Sequence, residues 1–421
     1  MGKVLKLQQS PGDRKSAGKS SRRRAPRSRT ALVLGGGGFT GAVYQIGALR
    51  ALDLLAVNRT VNDFDIYVGT SAGAFVGSLV ANGVTPEEMM RVVNRQQRAP
   101  FRDVERGSLM RPNYLEFAQS AALLPLRLVG LARSVVASAG RLSITDLAGH
   151  LADGLPSGLY DGGAIQDYLE RVLSGSGRTD DFRLLENELY LAATDLDTCE
   201  RIVLGSEDWR DVPIARAVAA SSALPMLYKP VEIKGRHLVD GGIRSTTNVD
   251  IAVERGAKLV IVVNPLVPYV NDFEHTIPTM FGSRVRRVAD MGFPQIGYQA
   301  FKLLAHQRLH EAVRGWREKY PGVDIILIEP DPNDNLMFET NIMNFNKRVE
   351  IARHGFESVT LKLAEDYDEL KTVCARHGIA ISATRVRKVV GRSSREHEKT
   401  AAWKRILEHT TGALLRQPGG S

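Results

Sequence analysis

Short continuous apolar runs alternate along this chain with stretches in which apolar residues recur at helical spacing. Thr30–Leu34 is an apolar run that ends in glycines, and residues 64–68 form a second run of the same kind. Such runs predict strands that are buried on both faces. Residues 42–55 place apolar side chains every three or four positions, and residues 72–81 are a run of small apolar residues, so both segments predict helices.

The same alternation continues through most of the chain. Thr85-Pro86-Glu87-Glu88 has the pattern of a capping box with proline at the first helical position, which predicts a helix start. Further strands are predicted at residues 188–194, 230–233, 237–239, 259–264 and 323–328, and further helices at 215–222, 249–254 and 345–370. Alternating strands and helices predict an α/β fold with a mostly parallel central sheet and helices on both faces.

One segment in the middle of the chain departs from this alternation. Residues 118–139 are apolar but are interrupted by Pro125, Arg127 and Arg133. Two interpretations are open: a buried pair of helices, or a lid-like insertion at about residues 115–140 that contacts lipid, since an apolar segment with scattered Arg can lie in a membrane interface.

The net charge of +9 belongs to the N-terminal end of the chain. Residues 1–29 contain ten Lys or Arg and one Asp, which predicts a disordered basic tail. Residues 384–421 form a basic C-terminal extension, and residues 30–383 between them carry a net charge of −6. Two interpretations of the tail are open: a solubilising extension without a partner, or a segment that contacts an anionic partner such as nucleic acid or a phospholipid surface. No specific nucleic acid binding is expected.

The remaining composition indicates the compartment. Cys199 and Cys374 are far apart in the sequence and fit free thiols in a reducing compartment better than a disulfide framework. No stretch of roughly 20 residues is apolar enough to span a membrane, and no apolar signal region precedes the first basic cluster. We expect a cytoplasmic protein that can associate with membranes.

A glycine run is the first motif that carries chemistry. Gly35-Gly36-Gly37-Gly38 and Gly41 lie between the first predicted strand and the first predicted helix. Backbone N–H groups of such a loop, together with a helix N-terminus, can hold a phosphate or the oxyanion of an acyl-transfer intermediate. The spacing also matches the dinucleotide-binding fingerprint, and a tight strand-to-helix turn would need the same glycines.

The second motif reads Gly69-Thr70-Ser71-Ala72-Gly73 and again lies between a strand and a helix. A nucleophilic serine needs an exposed hydroxyl at a helix N-terminus, and the strained turn needs small neighbours. The motif therefore predicts Ser71 as a nucleophile.

The third motif is Asp240-Gly241-Gly242, which follows a predicted strand. Asp-Gly is a common turn signal, but a carboxylate at a strand end can also act as a general base toward Ser71. His237 is three residues from Asp240 along a strand, so its side chain is expected to face the opposite side.

The order of these three motifs resembles the patatin-like phospholipase family. Residues 216–225, which read RAVAASSALP, and residues 191–196, which read LAATDL, resemble two further blocks of that family. The resemblance covers residues 31–265 and implies a patatin-like three-layer domain over residues 30–383.

The resemblance implies a serine lipid acyl hydrolase with a Ser71–Asp240 dyad, no catalytic histidine, no cofactor and no metal. Ser71 would attack an ester carbonyl of a phospholipid or related acyl lipid, and Asp240 would accept the proton. Gly36, Gly37 and Gly38 would form the oxyanion hole. The supporting motif residues are Gly41, Gly69, Gly73, Gly241 and Gly242.

Two departures from the family pattern concern the glycine loop. Thr40 stands where members commonly carry Arg or Lys, and one extra residue separates Gly41 from Ile46-Gly47. Both bear on the oxyanion geometry and keep a second interpretation open, a catalytically inactive lipid-binding protein. A third, a dinucleotide-dependent oxidoreductase, expects an acidic residue at the end of the second strand, where this chain has Gly69-Thr70.

Overall fold

The computed structural model describes residues 5–6, 28–96, 99–102, 110–137, 155–271, 273, 276–278, 284–331, 334, 336–337, 347–389 and 391. Most of residues 1–29 and of residues 384–421 lies outside these residues, so the predicted disorder of the N-terminal tail stays a prediction. The strands are β1 Leu5–Lys6, β2 Thr30–Leu34, β3 Ile66–Thr70, β4 Gly158–Tyr160, β5 Glu188–Asp195, β6 Arg201–Leu204, β7 Met226–Tyr228, β8 Val231–Ile233, β9 Arg236–Asp240, β10 Leu259–Val263, β11 Ile277–Pro278, β12 Arg284–Val285 and β13 Asp324–Ile328.

The helices lie between these strands and after the last one. They are α1 Gly38–Leu55, α2 Ala72–Ala81, α3 Pro86–Val93, α4 Tyr114–Ala137, α5 Gly163–Leu173, α6 Ile214–Ser221, α7 Val249–Glu254, α8 Phe293–Lys319, α9 Arg348–Glu365 and α10 Tyr367–Arg376. Short 3₁₀ turns, including Gly241–Ile243 directly after β9, complete the described elements.

One large sheet organises the fold. Its strand order is β1-β13-β10-β2-β3-β5-β9-β8, and β6 pairs with β5 outside this path. The five strands from β13 to β5 are parallel, and β1, β6 and β9 run antiparallel to their neighbours. We call the side where the parallel strands end the carboxyl edge, and the opposite side the amino edge.

Both faces of the sheet are covered because its central strands are apolar on both sides. On β2, Leu32 and Leu34 face a core shared with α1, α2, α3, α5, α6 and α9, whereas Ala31 and Val33 face a smaller core with α7 and α8. The predicted three-layer α/β arrangement is therefore confirmed.

Helix α1 is buried on nearly all sides because α9 crosses it at small residues. A Cβ atom on Gly47 would lie 2.2 Å from the carbonyl oxygen of Ala352, and one on Gly355 would lie 2.6 Å from that of Tyr44. The last helices of the chain thus pack directly on the helix that follows the glycine loop.

Most predicted elements are present, but helices late in the chain differ from the prediction. The predicted helix at 345–370 is two helices, because α9 ends at Glu365 and α10 begins at Tyr367. Helix α8 was not predicted, although Ala305, Leu309 and Val313 recur at helical spacing on its buried side. The capping box is present as predicted, with the Thr85 hydroxyl accepting a hydrogen bond from the N–H of Glu88.

The interrupted apolar segment is one helix, so the interpretation as a buried helix pair is wrong. Helix α4 contains Pro125, and several of its described apolar side chains are exposed, including Tyr114 at 71% and Leu126 at 69%. Residues 138–140 of the predicted insertion lie outside the described part of the chain.

Candidate active site

The glycine loop and the serine motif meet because they follow adjacent parallel strands. The loop leaves β2 and Ser71 leaves β3, and the two strands pair in parallel register. In such a sheet the segments beyond neighbouring carboxyl ends form a crevice. Gly36, Gly37, Gly38, Ser71 and Asp240 all line one cleft at the carboxyl edge.

Ser71 occupies a strained turn between β3 and α2. Its backbone has φ 55° and ψ −120°, a conformation that is costly for a residue with a side chain, and the residue is 8% exposed. Gly73 makes the turn possible, because a Cβ atom there would lie 2.0 Å from the carbonyl oxygen of Leu34. This is the backbone expected of a serine nucleophile at a strand-to-helix turn.

Two serines that the sequence did not identify as site residues hold this turn. The backbone N–H of Ser71 donates to Oγ of Ser221 at 3.0 Å, and Oγ of Ser221 donates to the carbonyl of Ala192 in β5 at 2.6 Å. The hydroxyl of Ser222 donates to the carbonyl of Ser71 at 3.3 Å. The sequence feature that could have identified them is the pair of adjacent serines at the end of α6, a helix of mostly small residues.

Asp240 ends β9 and is 3% exposed. Its carboxylate accepts a hydrogen bond from the Ser71 hydroxyl and one from the N–H of Gly242 at 2.7 Å. Burial raises the pKa of Asp240 to about 6, and these two hydrogen bonds offset only part of that effect. Among the described residues no Lys, Arg or His forms an ion pair with it, so the carboxylate keeps an unusual basicity.

Histidine is absent from the described residues that line the cleft. His237, which is near Asp240 in sequence, is exposed and lies 3.5 Å from the carboxylate of Asp197. The structure thus agrees with the expectation that His237 faces away from Asp240. The contact between Ser71 and Asp240 is direct.

The glycine loop presents its backbone to Ser71. A Cβ atom on Gly36 would lie 3.5 Å from Cβ of Ser71, which places this glycine in contact with the serine. Gly37 and Gly38 have φ 152° and 62°, a region that favours glycine, and they begin α1. The N–H groups at the start of a helix have no partner within the helix, so this loop can stabilise an oxyanion.

The departures at Thr40 and in loop length leave the cleft intact. Thr40 is buried in the first turn of α1 and is not among the residues that line the cleft. The residues between Gly41 and Ile46 all lie within α1. One of them, the buried Gln45, donates from Nε2 to the carbonyl of Gly35 at 2.7 Å and so ties the loop to its helix.

The supporting glycines allow close approaches of the backbone around Ser71 and Asp240. A Cβ atom on Gly41 would lie closest to Pro265, and one on Gly69 closest to Ala74. A Cβ atom on Gly241 would lie closest to Ala192, and one on Gly242 closest to Asp240. The block at 191–196 places Asp195 outside the cleft, where it pairs with Arg236 at 2.9 Å.

The rest of the cleft is apolar. It runs from Ser71 between α1, α2, α3 and α5 and encloses about 1140 Å³ when its open mouth is included. The apolar side chains along it include Val43, Ile46, Phe75, Leu79, Met89, Val92, Val93, Phe101, Ile165 and Leu227. Tyr298 and Phe301 of α8 close it near Asp240. Desolvation of the Tyr298 phenol raises its pKa, and the charge of Asp240 adds to this effect.

The chain matches the family model of the patatin-like phospholipases over residues 32–253, just over half of its 421 residues. It therefore belongs to the patatin-like phospholipase family, as the order of its motifs predicted. Membership also replaces the dinucleotide-binding interpretation of the glycine loop.

The similar proteins are distant and are matched in part. The chain is 27% identical over 221 residues to the uncharacterized protein YqhO of Bacillus subtilis strain 168, covering 49% of this chain and 64% of YqhO. It is 21% identical over 230 residues to the probable lipid hydrolase 463L of Invertebrate iridescent virus 6, covering 54% of this chain and 65% of that protein. The chain thus spans less than two thirds of either relative.

Among solved structures, VipD from Legionella pneumophila aligns with 14% identity and a TM-score of 0.37, over 81% of this chain and 67% of VipD. Within the described residues, no helix is both long and apolar enough to cross a membrane.

Proposed function

We propose that this protein is a serine lipid acyl hydrolase that cleaves ester bonds of phospholipids or related acyl lipids. The observation that carries the proposal is the hydrogen-bonded pair of Ser71 and Asp240 at the head of an apolar cleft. Family membership supports it, as does the description of the viral relative 463L as a probable lipid hydrolase.

In the proposed reaction, Oγ of Ser71 attacks the ester carbonyl carbon while its proton passes to Asp240. The negative charge that develops on the carbonyl oxygen is stabilised by backbone N–H groups of Gly36, Gly37 and Gly38. Collapse of this intermediate breaks the ester bond, and Asp240 returns the proton to the leaving alcohol. A water molecule, deprotonated by Asp240, then attacks the acyl-enzyme and releases the fatty acid and Ser71.

The raised basicity of Asp240 suits this role. A general base works best when its pKa lies near the operating pH, and burial brings the pKa of Asp240 to about 6. A carboxylate with an ordinary pKa would accept the serine proton less readily.

The shape of the cleft supports an acyl chain as the group it binds. The cleft continues from Ser71 between α1, α2, α3 and α5, so an acyl chain bound at the serine would lie along these helices. Its walls beyond Ser71 are almost wholly aliphatic and aromatic, so binding there would be driven by burial of hydrocarbon. Thr40 lies outside the cleft lining and gives no support to the inactive alternative.

Helix α4 supports a lipid surface as the partner. The residue before this helix is held near the cleft: the N–H of Asn113 donates to the carbonyl of Leu159 in β4, and β4 pairs with β7, whose Tyr228 lines the cleft. Its exposed apolar side chains can enter a membrane interface, and the basic residues of 1–29 can add attraction to anionic lipid. The protein would then take its substrate from the membrane as a peripheral enzyme; the cytoplasmic location stays a prediction.

A fluorophosphonate probe tests the proposed nucleophile. The wild type should be labelled with one probe per chain, and Ser71→Ala should not be labelled. Ser78→Ala is the matched control, since Ser78 lies on the same helix, α2, does not line the cleft, and donates its hydroxyl to the carbonyl of Phe75. A folded wild type that stays unlabelled in excess probe would contradict the proposal.

A further inference from the structure

A second group of functional side chains lies on the other side of the glycine loop, where α8 crosses the carboxyl end of β13. His306 and His310 are four residues apart on α8, and Glu329 follows directly after β13. Each offers one ligand atom, and these atoms lie within 4.8 Å of one another. No other group of this kind occurs among the described residues.

The carboxylate of Glu329 is held rigidly and is 4% exposed. Its Oε1 accepts a hydrogen bond from Nδ2 of Asn264 at 2.7 Å, and its Oε2 lies 2.9 Å from Nε2 of His310. The rings of His306 and His310 have centroids 4.1 Å apart. Within the described part of the chain, the ring nitrogens of His306 have no hydrogen bond to the protein.

We propose that His306, His310 and Glu329 bind a Zn²⁺ ion. Imidazole and carboxylate are ligands that zinc prefers, and two His with one Glu are a known zinc donor set that leaves a fourth position for water. Two His at i and i+4 project from one face of a helix and can reach the same ion.

The distances agree with a site that needs only side-chain adjustment to close. Zinc–ligand bonds of about 2.0–2.1 Å in a tetrahedron keep the ligand atoms about 3.3 Å apart. The pair of His310 and Glu329, at 2.9 Å, lies slightly inside that value, and the other pairs lie within 4.8 Å. The two histidines are partly exposed, which leaves a route for the ion and for a bound water.

The surroundings favour a site that organises the active-site walls and not a second catalytic centre. The residue after His306 is Gln307, so the glutamate that serves as base in HExxH metalloproteases is absent here. The ion would join α8, which carries Tyr298 and Phe301 into the cleft, to Glu329. Glu329 in turn accepts a hydrogen bond from Asn264. The side chain of Asn264 packs against the glycine loop, since a Cβ atom added to Gly35 would lie 2.8 Å from its Oδ1.

Metal titration of the untagged full chain tests this site. After treatment with a chelator, the wild type should bind one Zn²⁺ per chain by calorimetry, and Co²⁺ should give the visible absorption of a tetrahedral N/O site. His306→Gln and His310→Gln should each lower the Zn²⁺ affinity at least about 100-fold, because each removes one ligand. Zn²⁺ should raise the Tm of the wild type by a few degrees and leave the Tm of both variants unchanged.

His354→Gln is the matched control, because His354 is also a partly buried histidine bonded to a carboxylate, that of Asp334. It should bind Zn²⁺ as the wild type does. A wild type that binds no stoichiometric Zn²⁺, or a folded His306→Gln chain with unchanged affinity, would overturn the site and leave a hydrogen-bonded His–Glu pair.

Discussion

A buried aspartate lies at each edge of the sheet, and the pKa values of the two carboxyl groups are shifted in opposite directions. At the amino edge, burial alone would raise the pKa of Asp324, but hydrogen bonds from His377 and Arg376 outweigh it and lower the pKa. Arg376 donates twice to this carboxylate, at 2.7 and 3.0 Å, and His377 Nε2 lies 2.8 Å from it. At the carboxyl edge, the hydrogen-bond partners of the Asp240 carboxylate within the described part of the chain are the Ser71 hydroxyl and the N–H of Gly242.

The difference separates a structural carboxylate from one suited to chemistry. The charge of Asp324 is fully compensated, so it ties α10 and the following turn to β13 and has little tendency to accept a proton. The charge of Asp240 is poorly compensated, so its ionised form costs folding free energy, which suits the proposed role of a base beside Ser71.

The largest expected effect is on catalysis, and it should be confined to the carboxyl edge. Ser71→Ala and Asp240→Asn should each lower hydrolysis of a p-nitrophenyl ester by about 10⁴-fold, because the two residues act as one unit. Asp324→Asn should keep near wild-type activity per folded molecule. Near-normal turnover in Asp240→Asn would assign the base to another residue.

The pH dependence of the reaction should reflect the raised pKa of Asp240, whose negative charge has no cationic partner among the described residues. The base is active only when ionised, so kcat/KM should fall about tenfold per pH unit below about 6 and reach a plateau above it. A pH–rate profile on a soluble ester measures this. The Asp324→Asn variant should give the same midpoint, and a rate that is flat between roughly pH 4 and 8 would contradict the role of Asp240.

At the amino edge, removal of the carboxylate should affect the stability of the fold and leave the reaction nearly unchanged. Asp324→Asn should lower the free energy of unfolding by about 1–3 kcal/mol, because Arg376 and His377 lose a charged partner. Since the folded pKa of Asp324 is depressed, its contribution is present above the ordinary value of 3.8 and is lost as pH falls through the lower, folded value. Urea unfolding at pH 7 and at low pH measures both; equal stability of variant and wild type at pH 7 would contradict the contrast.

Asp240→Asn should stabilise the protein while it inactivates it. The folded pKa of about 6 exceeds the ordinary 3.8, so the wild type loses stability as pH rises between these values. Removing the charge should raise the unfolding free energy by about 3 kcal/mol at pH 8 and by much less near pH 4. Urea titrations of the two proteins at both pH values measure the difference, and a variant less stable than wild type at pH 8 would contradict it.

The smallest expected effect concerns membrane contact at the carboxyl edge. Leu126→Asp on α4 should weaken sedimentation with anionic vesicles several-fold, and removal of residues 1–29 should reduce binding to anionic but not to zwitterionic vesicles. Val57→Asp, a change of a similarly apolar exposed residue at the amino edge, is the control and should bind as wild type. Equal vesicle binding by the wild type, the Leu126→Asp variant and the truncated chain, at both low and high salt, would contradict the proposed surface.

Local patterns were enough to predict much of the framework. Strands β2 and β3, helix α2 and the capping box of α3 depend on neighbouring residues, and the same is true of the turn at Ser71. The order of the motifs also indicated the family and the pairing of Ser71 with Asp240. These features could be predicted because the spacing of residues along the chain determines which side chains share one face of a helix or strand.

Contacts between distant segments were decided only by the tertiary structure. Ser221 holds the backbone of Ser71, and Gln45 holds the glycine loop, yet neither role has a local signature. The pKa of Asp240 depends on burial by segments far from it in sequence, and the histidines of α8 gain a carboxylate only when β13 joins the sheet. The sequence thus determined the reactive groups and their local turns, whereas packing decided their partners, because burial and charge compensation are properties of the assembled fold.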